Sequence, residues 1–366
     1  MIIEELLQRL NEFAPFSQAY EWDNIGLLVG DSKREVTKVL ITLDVTFKAM
    51  QKALELGANI ILAHHPVIFH SLKHITDPLL LSLVENQINV ISMHTNLDVA
   101  PQGTNYALAT VLGLENLEPL SSEQGEKWFH LSVTVPAGYT ENVADAVFKA
   151  GGGKVGNYIY CSTRHPIKGT FKPLEGARPF ISSKEDDKFT QVAEEELEFM
   201  VQESRLFEVV SAIKISHPYE TPLLYYFPVT TPQPLFGLGM TGILPEPLTL
   251  SETLSWIKDK LGCPNPKLWT AGLPLSTSIQ KIAVCGGSGS SLIRLAEQSA
   301  ELYITGDVGY HSLMEAKIPI VDAGHFYTEY PVLEVLKGQL INWNLESYVL
   351  SREECEYWQN THSYHN

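Results

Sequence analysis

Short apolar runs alternate with helical patterns in the first and last thirds of the chain. Six of these runs predict buried strands, at 38–44, 59–63, 88–93, 281–285, 301–305 and 318–321. Residues 46–56 have helical spacing and precede Gly57, a residue that commonly ends helices. Strands of this length that alternate with helices predict a parallel sheet with right-handed crossovers.

The middle third has a different pattern. Its predicted elements are strand 129–135, helix 141–150, two strands that flank Arg164-His165-Pro166, strand 195–202, a helix from Ser204 and strand 223–229. This order, β-α-β-β followed by β-α-β, is close to a ferredoxin-like unit. The predicted fold class is therefore α/β, with a pseudo-symmetric parallel or mixed sheet domain that is interrupted by an α+β ferredoxin-like insert.

The change of pattern predicts three segments. Residues 1–125 form the first half of the α/β domain, residues 126–232 the insert, and residues 233–366 the second half. Three prolines, Pro228, Pro232 and Pro234, mark the second junction.

A faint internal repeat relates the two outer segments. Residues 38–63 and 281–305 share a strand-turn-helix-strand layout, and residues 94–98 correspond to 325–329. Common descent of the two halves would explain the likeness, and so would the alternation of strands and helices that all α/β folds share. A pseudo-symmetric fold would bring these strand ends to one sheet edge, where α/β folds place their sites.

Composition restricts the class of protein. The net charge is −17, and so acidic a surface repels phosphate backbones and disfavours nucleic-acid binding. Four cysteines without a paired spacing indicate free thiols in a reducing compartment. The first ten residues predict an amphipathic helix and not a signal peptide, and no apolar run approaches the roughly 20 residues of a membrane span. We therefore expect a cytoplasmic protein.

Histidines and carboxylates follow several of the predicted strands. His64 and His65 follow strand 59–63 and precede Pro66, and His325 and Glu329 stand four apart after strand 318–321. Adjacent residues of an extended segment point to opposite sides, so the two histidines could bind two different metals along the strand end. Imidazole and carboxylate ligands suit a first-row transition metal.

Asp98 completes a candidate set of three imidazoles and two carboxylates. Its members are His64, His65, Asp98, His325 and Glu329. Two carboxylates offset part of the charge of two divalent ions, and one of them can bridge a metal pair that activates water. Zinc, iron and manganese all accept such ligands.

Further polar residues stand beside this set. Asp44, Asp307 and Asp322 also end strands, where they orient an imidazole or a water, or else cap the next helix. His94 fits an orienting role better than a ligand role. Gly286-Gly287-Ser288-Gly289 is either a tight βα turn or an anion-binding loop at a helix N-terminus. His217-Pro218-Tyr219-Glu220 is more typical of a rigid connection than of catalysis.

Several separated motifs, in order, resemble the Nif-three-like family, whose bacterial members are often labelled GTP cyclohydrolase 1 type 2 homologues. They are Leu43-Asp44-Val45-Thr46, Ala63-His64-His65-Pro66, His94-Thr95-Asn96-Leu97-Asp98, Gly286-Gly287-Ser288-Gly289, Thr305-Gly306-Asp307 and Gly324-His325-Phe326-Tyr327-Thr328-Glu329. The resemblance implies a dinuclear metal centre at the five candidate ligands and a toroidal homohexamer whose metal sites face an internal cavity.

The middle segment resembles the PII and CutA-like insert of longer family members. The motifs that carry this likeness are Gly156-Asn157-Tyr158, Gly169-Thr170-Phe171 and His217-Pro218-Tyr219-Glu220. Such an insert implies a small-molecule ligand or a partner.

Two functional hypotheses follow. The first is a metal-dependent hydrolase that acts on a nucleotide or another phosphorylated small molecule, as in GTP cyclohydrolase chemistry. The second is a non-catalytic metal-binding scaffold or regulator with a ligand-sensing insert. Five nitrogen and oxygen ligands leave coordination positions for water, which favours the hydrolase.

Overall fold

The computed structural model describes residues 1–121, 127–156, 158–182, 189–230 and 236–355. Both predicted domain junctions, and Asn157 of the insert motif, lie outside the described residues. The chain divides into two compact units. The outer unit comprises Met1–Glu123 with Pro234–Asn366, and the inserted unit comprises Gln124–Gln233.

The secondary-structure elements are numbered in chain order. The strands are β1 (Gly26–Val29), β2 (Val39–Thr42), β3 (Ile60–Ala63), β4 (Asn89–Ser92), β5 (Glu115–Pro119), β6 (Trp128–Pro136), β7 (Thr163–Phe171), β8 (Thr190–Gln202), β9 (Leu224–Val229), β10 (Met240–Thr249), β11 (Lys267–Trp269), β12 (Ser278–Ser288), β13 (Leu302–Gly306), β14 (Ile320–Asp322) and β15 (Ser347–Val349). The α-helices are α1 (Ile3–Phe13), α2 (Phe47–Leu56), α3 (Pro78–Glu85), α4 (Thr95–Val99), α5 (Thr104–Val111), α6 (Thr140–Lys149), α7 (Glu203–Ser216), α8 (Leu250–Leu261), α9 (Ile293–Ser299), α10 (Tyr310–Glu315), α11 (His325–Glu329) and α12 (Val332–Asn342).

The outer unit contains two sheets, where the sequence pattern suggested one. Their strand orders are β1-β4-β3-β2-β15 and β11-β14-β13-β12-β10-β5. In each, three consecutive strands of the chain run parallel, and a fourth strand pairs antiparallel with the last of them. The two halves of the chain therefore share the layout that the internal repeat predicted, with one sheet in each half.

The halves exchange edge strands. β5 precedes the insert in the chain, yet it pairs with β10 of the second sheet. β15 follows the insert, yet it pairs with β2 of the first sheet. Each sheet is thus completed by a strand from the other half.

The parallel strands of the first sheet form because most of their side chains are apolar, with Thr42, Asn89 and Ser92 as the exceptions. Every residue of β2, β3 and β4 is buried, as in sheets that are covered on both faces. Helix α2 begins after Thr46, whose Oγ1 accepts the amide of Ala49 at 3.2 Å, and ends at Gly57 with φ of 67°. This confirms the helix predicted at 46–56, which carries the chain from β2 back to β3.

Two short helices begin at the carboxyl ends of corresponding strands. Helix α4 follows β4 and carries Asp98, and helix α11 follows β14 and carries Glu329. His64 and His65 follow β3, which is the central parallel strand of its sheet. The topology thus places the candidate residues at strand ends, where α/β folds form sites.

The inserted unit is a four-stranded antiparallel sheet with two helices. Its elements follow the order β6-α6-β7-β8-α7-β9, and its sheet order is β7-β8-β6-β9. Leu131, Val133 and Leu197 of the sheet form a separate core with Val143 and Val209 of the helices.

One strand of the inserted unit differs from the prediction. β7 runs through Arg164-His165-Pro166, where two flanking strands were predicted. The prediction of two strands was wrong because it assumed that Pro166 interrupts the strand, as proline usually does. β7 is an edge strand, and an edge tolerates a residue without an amide hydrogen.

The cysteines and the lengths of the helices can be compared with what the composition predicted. Cys161, Cys263, Cys285 and Cys355 form no disulfide, as predicted. Across the part of the chain that the structure describes, every helix is too short or too polar to cross a membrane.

Candidate metal centre

His64 and His65 lie side by side, and both face one site. Their ring centroids are 5.0 Å apart, and the ring of His65 is 5.5 Å from that of His325. The prediction that the two adjacent imidazoles point to opposite sides was therefore wrong. β3 ends at Ala63, so the alternation of an extended strand no longer applies beyond it.

His64 is fully buried and is fixed at one nitrogen. Its Nδ1 lies 2.7 Å from the carbonyl oxygen of Met93. Because a carbonyl only accepts, Nδ1 carries the proton and Nε2 has a free lone pair when the ring is neutral. That Nε2 lies 3.5 Å from Oδ1 of Asp98 and 3.7 Å from Oε1 of Glu329.

His65 and His325 have matching surroundings. Nδ1 of His65 donates to Asp44 Oδ1 at 2.8 Å, and Nδ1 of His325 donates to Asp307 Oδ2 at 2.6 Å. The opposite nitrogens meet Glu329, since Nε2 of His65 is 3.0 Å from Oε2 and Nε2 of His325 is 3.0 Å from Oε1. Asp44 and Asp307 thus orient imidazoles, the first of the two alternatives for them.

Glu329 is the centre of this arrangement. Burial alone would favour its neutral form, but the three imidazoles hold the pKa of its carboxyl well below the usual range. Burial likewise opposes protonation of His65 and His325, yet their hydrogen bonds to Glu329 and the aspartates raise the pKa of His65 to about 10 and that of His325 to about 9. In His64, the charges of Asp98 and Glu329 outweigh burial and raise the pKa of the imidazole.

Some buried polar atoms of this cluster lack a hydrogen-bond partner. They are Nε2 of His64 and Oδ1 of Asp98. Such atoms are costly when they are left unpaired, and in the neutral form of His64 the nitrogen lone pair faces carboxylate oxygens. A positive charge relieves this repulsion. His64, His65 and Glu329 offer ligand atoms within 4.8 Å of one another, so the residues fit a metal ion.

His94 is a fourth imidazole beside the cluster. Its ring centroid is 5.3 Å from that of His64 and 5.7 Å from that of His65. Its Nδ1 donates to Oδ1 of Asp23 at 2.9 Å. It contacts the imidazoles of His64 and His65 from one side, which is compatible with the orienting role predicted for it.

Asp23 was not identified from the sequence. Its side chain is fully buried and also accepts the amide and the hydroxyl of Thr95 at the start of α4. Burial disfavours its charged form, but the hydrogen bonds from His94 and Thr95 lower its pKa to about 2. The signal available was an acid beside Trp22 in a segment without regular structure, which does not distinguish Asp23 from any loop residue.

Asp322 has a different role from the other strand-end aspartates. Its Oδ1 accepts the amide of Gly324 at 3.0 Å, and its Oδ2 accepts that of Val308 at 3.3 Å. It ties two backbone segments together and sets the start of α11.

The glycine-rich stretch packs against Glu329. Three of its amides already donate to side chains of this chain: Gly286 to Asn105, Gly287 to Thr328 and Gly289 to Thr305. Of the two interpretations, these contacts favour the tight turn over the anion-binding loop. A Cβ at Gly287, where φ is +64°, would lie 2.2 Å from Oε1 of Glu329. The glycine therefore leaves room for the buried carboxylate.

Comparison with known proteins finds one family that matches almost the whole chain. The model of the Duf34/NIF3 family, described as NGG1p interacting factor 3, matches residues 1–355. A Staphylococcus epidermidis protein named GTP cyclohydrolase 1 type 2 homolog is 37% identical over 351 residues, which cover 94% of each chain.

Solved structures show the same fold. A Bacillus cereus protein related to NIF3 has a TM-score of 0.73 at 32% identity, over 95% of this chain and 96% of that one. A Staphylococcus aureus protein also has a TM-score of 0.73, at 31% identity and with the same coverage.

The raised imidazole pKa values predict a loss of stability at alkaline pH in the metal-free protein. Unfolded histidines have a pKa near 6.5, so the protonated pairs stabilise the fold fully below that pH. The stabilisation falls as pH rises towards the folded pKa values of about 9 and 10. With a chelator present, the urea midpoint should fall more between pH 7 and 10 in the wild type than in His325→Gln. Equal falls in the two proteins would contradict the assignment.

The space beside Glu329 predicts the effect of a small substitution. Gly287→Ala should displace the carboxylate and weaken zinc binding by roughly tenfold or more, as changes beside metal ligands do. Gly338→Ala on α12 is the control, because a Cβ there meets nothing within 4 Å. Competition against a chromogenic chelator measures both affinities. An unchanged affinity in Gly287→Ala would show that Glu329 does not need this space.

Proposed function

The chain belongs to the Duf34/NIF3 family, and from this membership and the geometry of the site we propose that it is a metal-dependent hydrolase with two divalent ions. The ligands in this proposal are His64, His65, Asp98, His325 and Glu329. Zinc, iron and manganese all suit such a set. The substrate is a nucleotide or another phosphorylated small molecule.

One observation carries the proposal. Three imidazoles are each held at Nδ1 by an acceptor, and their Nε2 atoms converge on the single buried carboxylate of Glu329. An acceptor at the far nitrogen is the usual support of a metal-binding histidine, because it fixes the tautomer and the ring orientation. Three such supports around one carboxylate are more than a structural ion pair requires.

The position of Glu329 supports two ions over one. Oε1 faces His64 and His325, and Oε2 faces His65, so the carboxylate can bridge. Asp98 supplies a second negative charge next to His64. Two carboxylates leave two divalent ions with a net positive charge, which attracts a phosphorylated substrate.

A metal pair would supply Lewis acidity, which lowers the pKa of water and stabilises a leaving oxygen. The chain holds the ligands in place for this chemistry. Asp44 and Asp307 fix the rings of His65 and His325, and Met93 fixes that of His64. The set contains no thiolate and leaves positions for water and substrate, as catalytic sites do.

The relatives' name suggests a first substrate. The Staphylococcus epidermidis relative is called a GTP cyclohydrolase 1 type 2 homolog. In such a reaction, water adds to the imidazole ring of guanine and opens it. We therefore put GTP first among the nucleotides to be tested, followed by a panel of phosphoesters.

The test compares metal content with turnover in the same preparations. Wild-type protein purified without added metal should contain about two ions per chain, and His65→Ala/His325→Ala should lose them. Turnover of at least one substrate in the panel should disappear on chelation and in this variant, and should return in the wild type when the metal is restored. Glu175→Gln, an exposed position in the inserted unit, is the matched control.

Two results would overturn the proposal. Wild-type protein without metal, even after reconstitution with zinc, iron or manganese, would remove its basis. Fully metallated protein that turned over no member of the panel would favour a non-catalytic scaffold.

We further propose that the inserted unit is a PII or CutA-like ferredoxin-like domain and that the chain forms homohexamers. The β-α-β-β-α-β order and the sheet order β7-β8-β6-β9 support the first statement. Tyr225 and Phe227 on β9, which are 46% and 47% exposed, offer apolar surface for association.

Light scattering at several concentrations tests the assembly. The measured mass should correspond to six chains and should not change on dilution through the micromolar range. A mass of one or two chains would contradict the hexamer and leave the metal centre unaffected.

A further inference from the structure

The inserted unit contains a cavity of its own. Its volume is about 700 Å³, within the range of small-molecule sites. Its lining residues come from strands β6, β7 and β8, from 172–174 and 177–181, and from 219–221 with Leu223. The proposed hydrolase function does not use this cavity.

A buried carboxylate lies in its wall. Glu194 of β8 is only 9% exposed, and its Oε1 accepts the hydroxyl of Tyr219 at 2.7 Å. A carboxylate only accepts hydrogen bonds, so in the wall of a cavity it favours a ligand that offers a donor.

Gly169 leaves the space that this carboxylate occupies. A Cβ at residue 169 would lie 2.0 Å from Oε2 of Glu194. Any other residue at 169 would therefore push the carboxylate away. The position resembles that of Gly287 beside Glu329, where a glycine also makes room for a buried carboxylate.

The motif His217-Pro218-Tyr219-Glu220 builds the same wall. His217 donates from Nε2 to the carbonyl of Thr134 at 2.8 Å, and its Nδ1 accepts the amide of Tyr219 at 3.0 Å. Burial lowers the pKa of His217, so the ring stays neutral as these two bonds require. The motif thus fixes Tyr219, and Tyr219 fixes Glu194.

The rest of the lining is apolar and cationic. Phe171 and Phe180 contribute aromatic surface, and Lys168, Lys172 and Arg178 contribute positive charge. The amide of Arg178 donates to Oε1 of Glu220 at 3.1 Å, which holds the segment 172–181 against the turn.

We propose that this cavity binds a small molecule with a flat ring that bears N–H donors and with a negatively charged group, as in a nucleoside monophosphate. Glu194 accepts from the ring, the aromatic side chains contact its faces, and the cations bind the charged end. A ligand without N–H donors offers Glu194 no hydrogen bond beyond that of Tyr219, which discriminates against such a ligand. This site is separate from the metal centre and does not depend on catalysis there.

Calorimetric titration of the full-length protein tests the proposal. The probes are AMP, GMP, adenosine, guanosine and inorganic phosphate. At least one monophosphate should bind, its nucleoside more weakly, and phosphate alone most weakly. Glu194→Gln should weaken the monophosphate at least tenfold, whereas Glu175→Gln, whose exposed side chain does not line the cavity, should not.

Two variants separate this site from the metal centre. Lys172→Gln should weaken the monophosphate but leave the nucleoside unchanged, and Glu194→Gln should retain the wild-type metal content. His65→Ala/His325→Ala should bind the monophosphate as the wild type does. Absence of binding by every probe at millimolar concentration, or equal affinity in the wild type and Glu194→Gln, would overturn the proposal. Binding that disappears only in the double histidine variant would assign the probe to the metal centre and would also overturn it.

Discussion

The outer unit is organised around one buried carboxylate. Glu329 is 4% exposed and meets the Nε2 atoms of three imidazoles that come from both halves of the chain. A charge in this position is unfavourable unless opposite charges or a metal surround it. Each imidazole must therefore be held at its other nitrogen, and Met93, Asp44 and Asp307 do this from three different strand ends. The requirement extends to the backbone, since only a glycine at 287 leaves room for the carboxylate.

The two sheets share one layout around this site. In each half, parallel strands end at a short helix that carries one carboxylate, Asp98 on α4 and Glu329 on α11. The corresponding histidines do not have the same role. His325 points its Nε2 at Glu329, whereas His94 lies beside the ring of His64 and is held by Asp23. A repeated framework thus carries two different sets of side chains. His64 and His65 follow β3 in the first half, whereas in the second half β13 ends at Gly306 and only Asp307 follows it at the corresponding place.

The sequence predicted the parts of the site that depend on local pattern. Apolar runs identified β2, β3 and β4, and the residues directly after strands were the polar ones that now lie together. It could not predict the number of sheets. The spacing of apolar residues within a strand does not show which strands pair across the insert. It also misplaced the direction of His65, since the extended geometry that fixes alternation ends one residue before His64. Asp23 was missed for a related reason: its importance comes from burial against His94 and Thr95, which lie some seventy residues away.

The exchange of edge strands has a consequence for how the chain matures on the ribosome. Until β15 (Ser347–Val349) has been synthesised, β2 has no neighbour on its outer side, and the first sheet has an open edge. Glu329 lies only eighteen residues before β15, so the two emerge almost together. A nascent chain therefore exposes His64 and His65 long before Glu329 can meet them. The histidine–carboxylate cluster and the first sheet are completed within the same short stretch of synthesis, so a chain that terminates early lacks both.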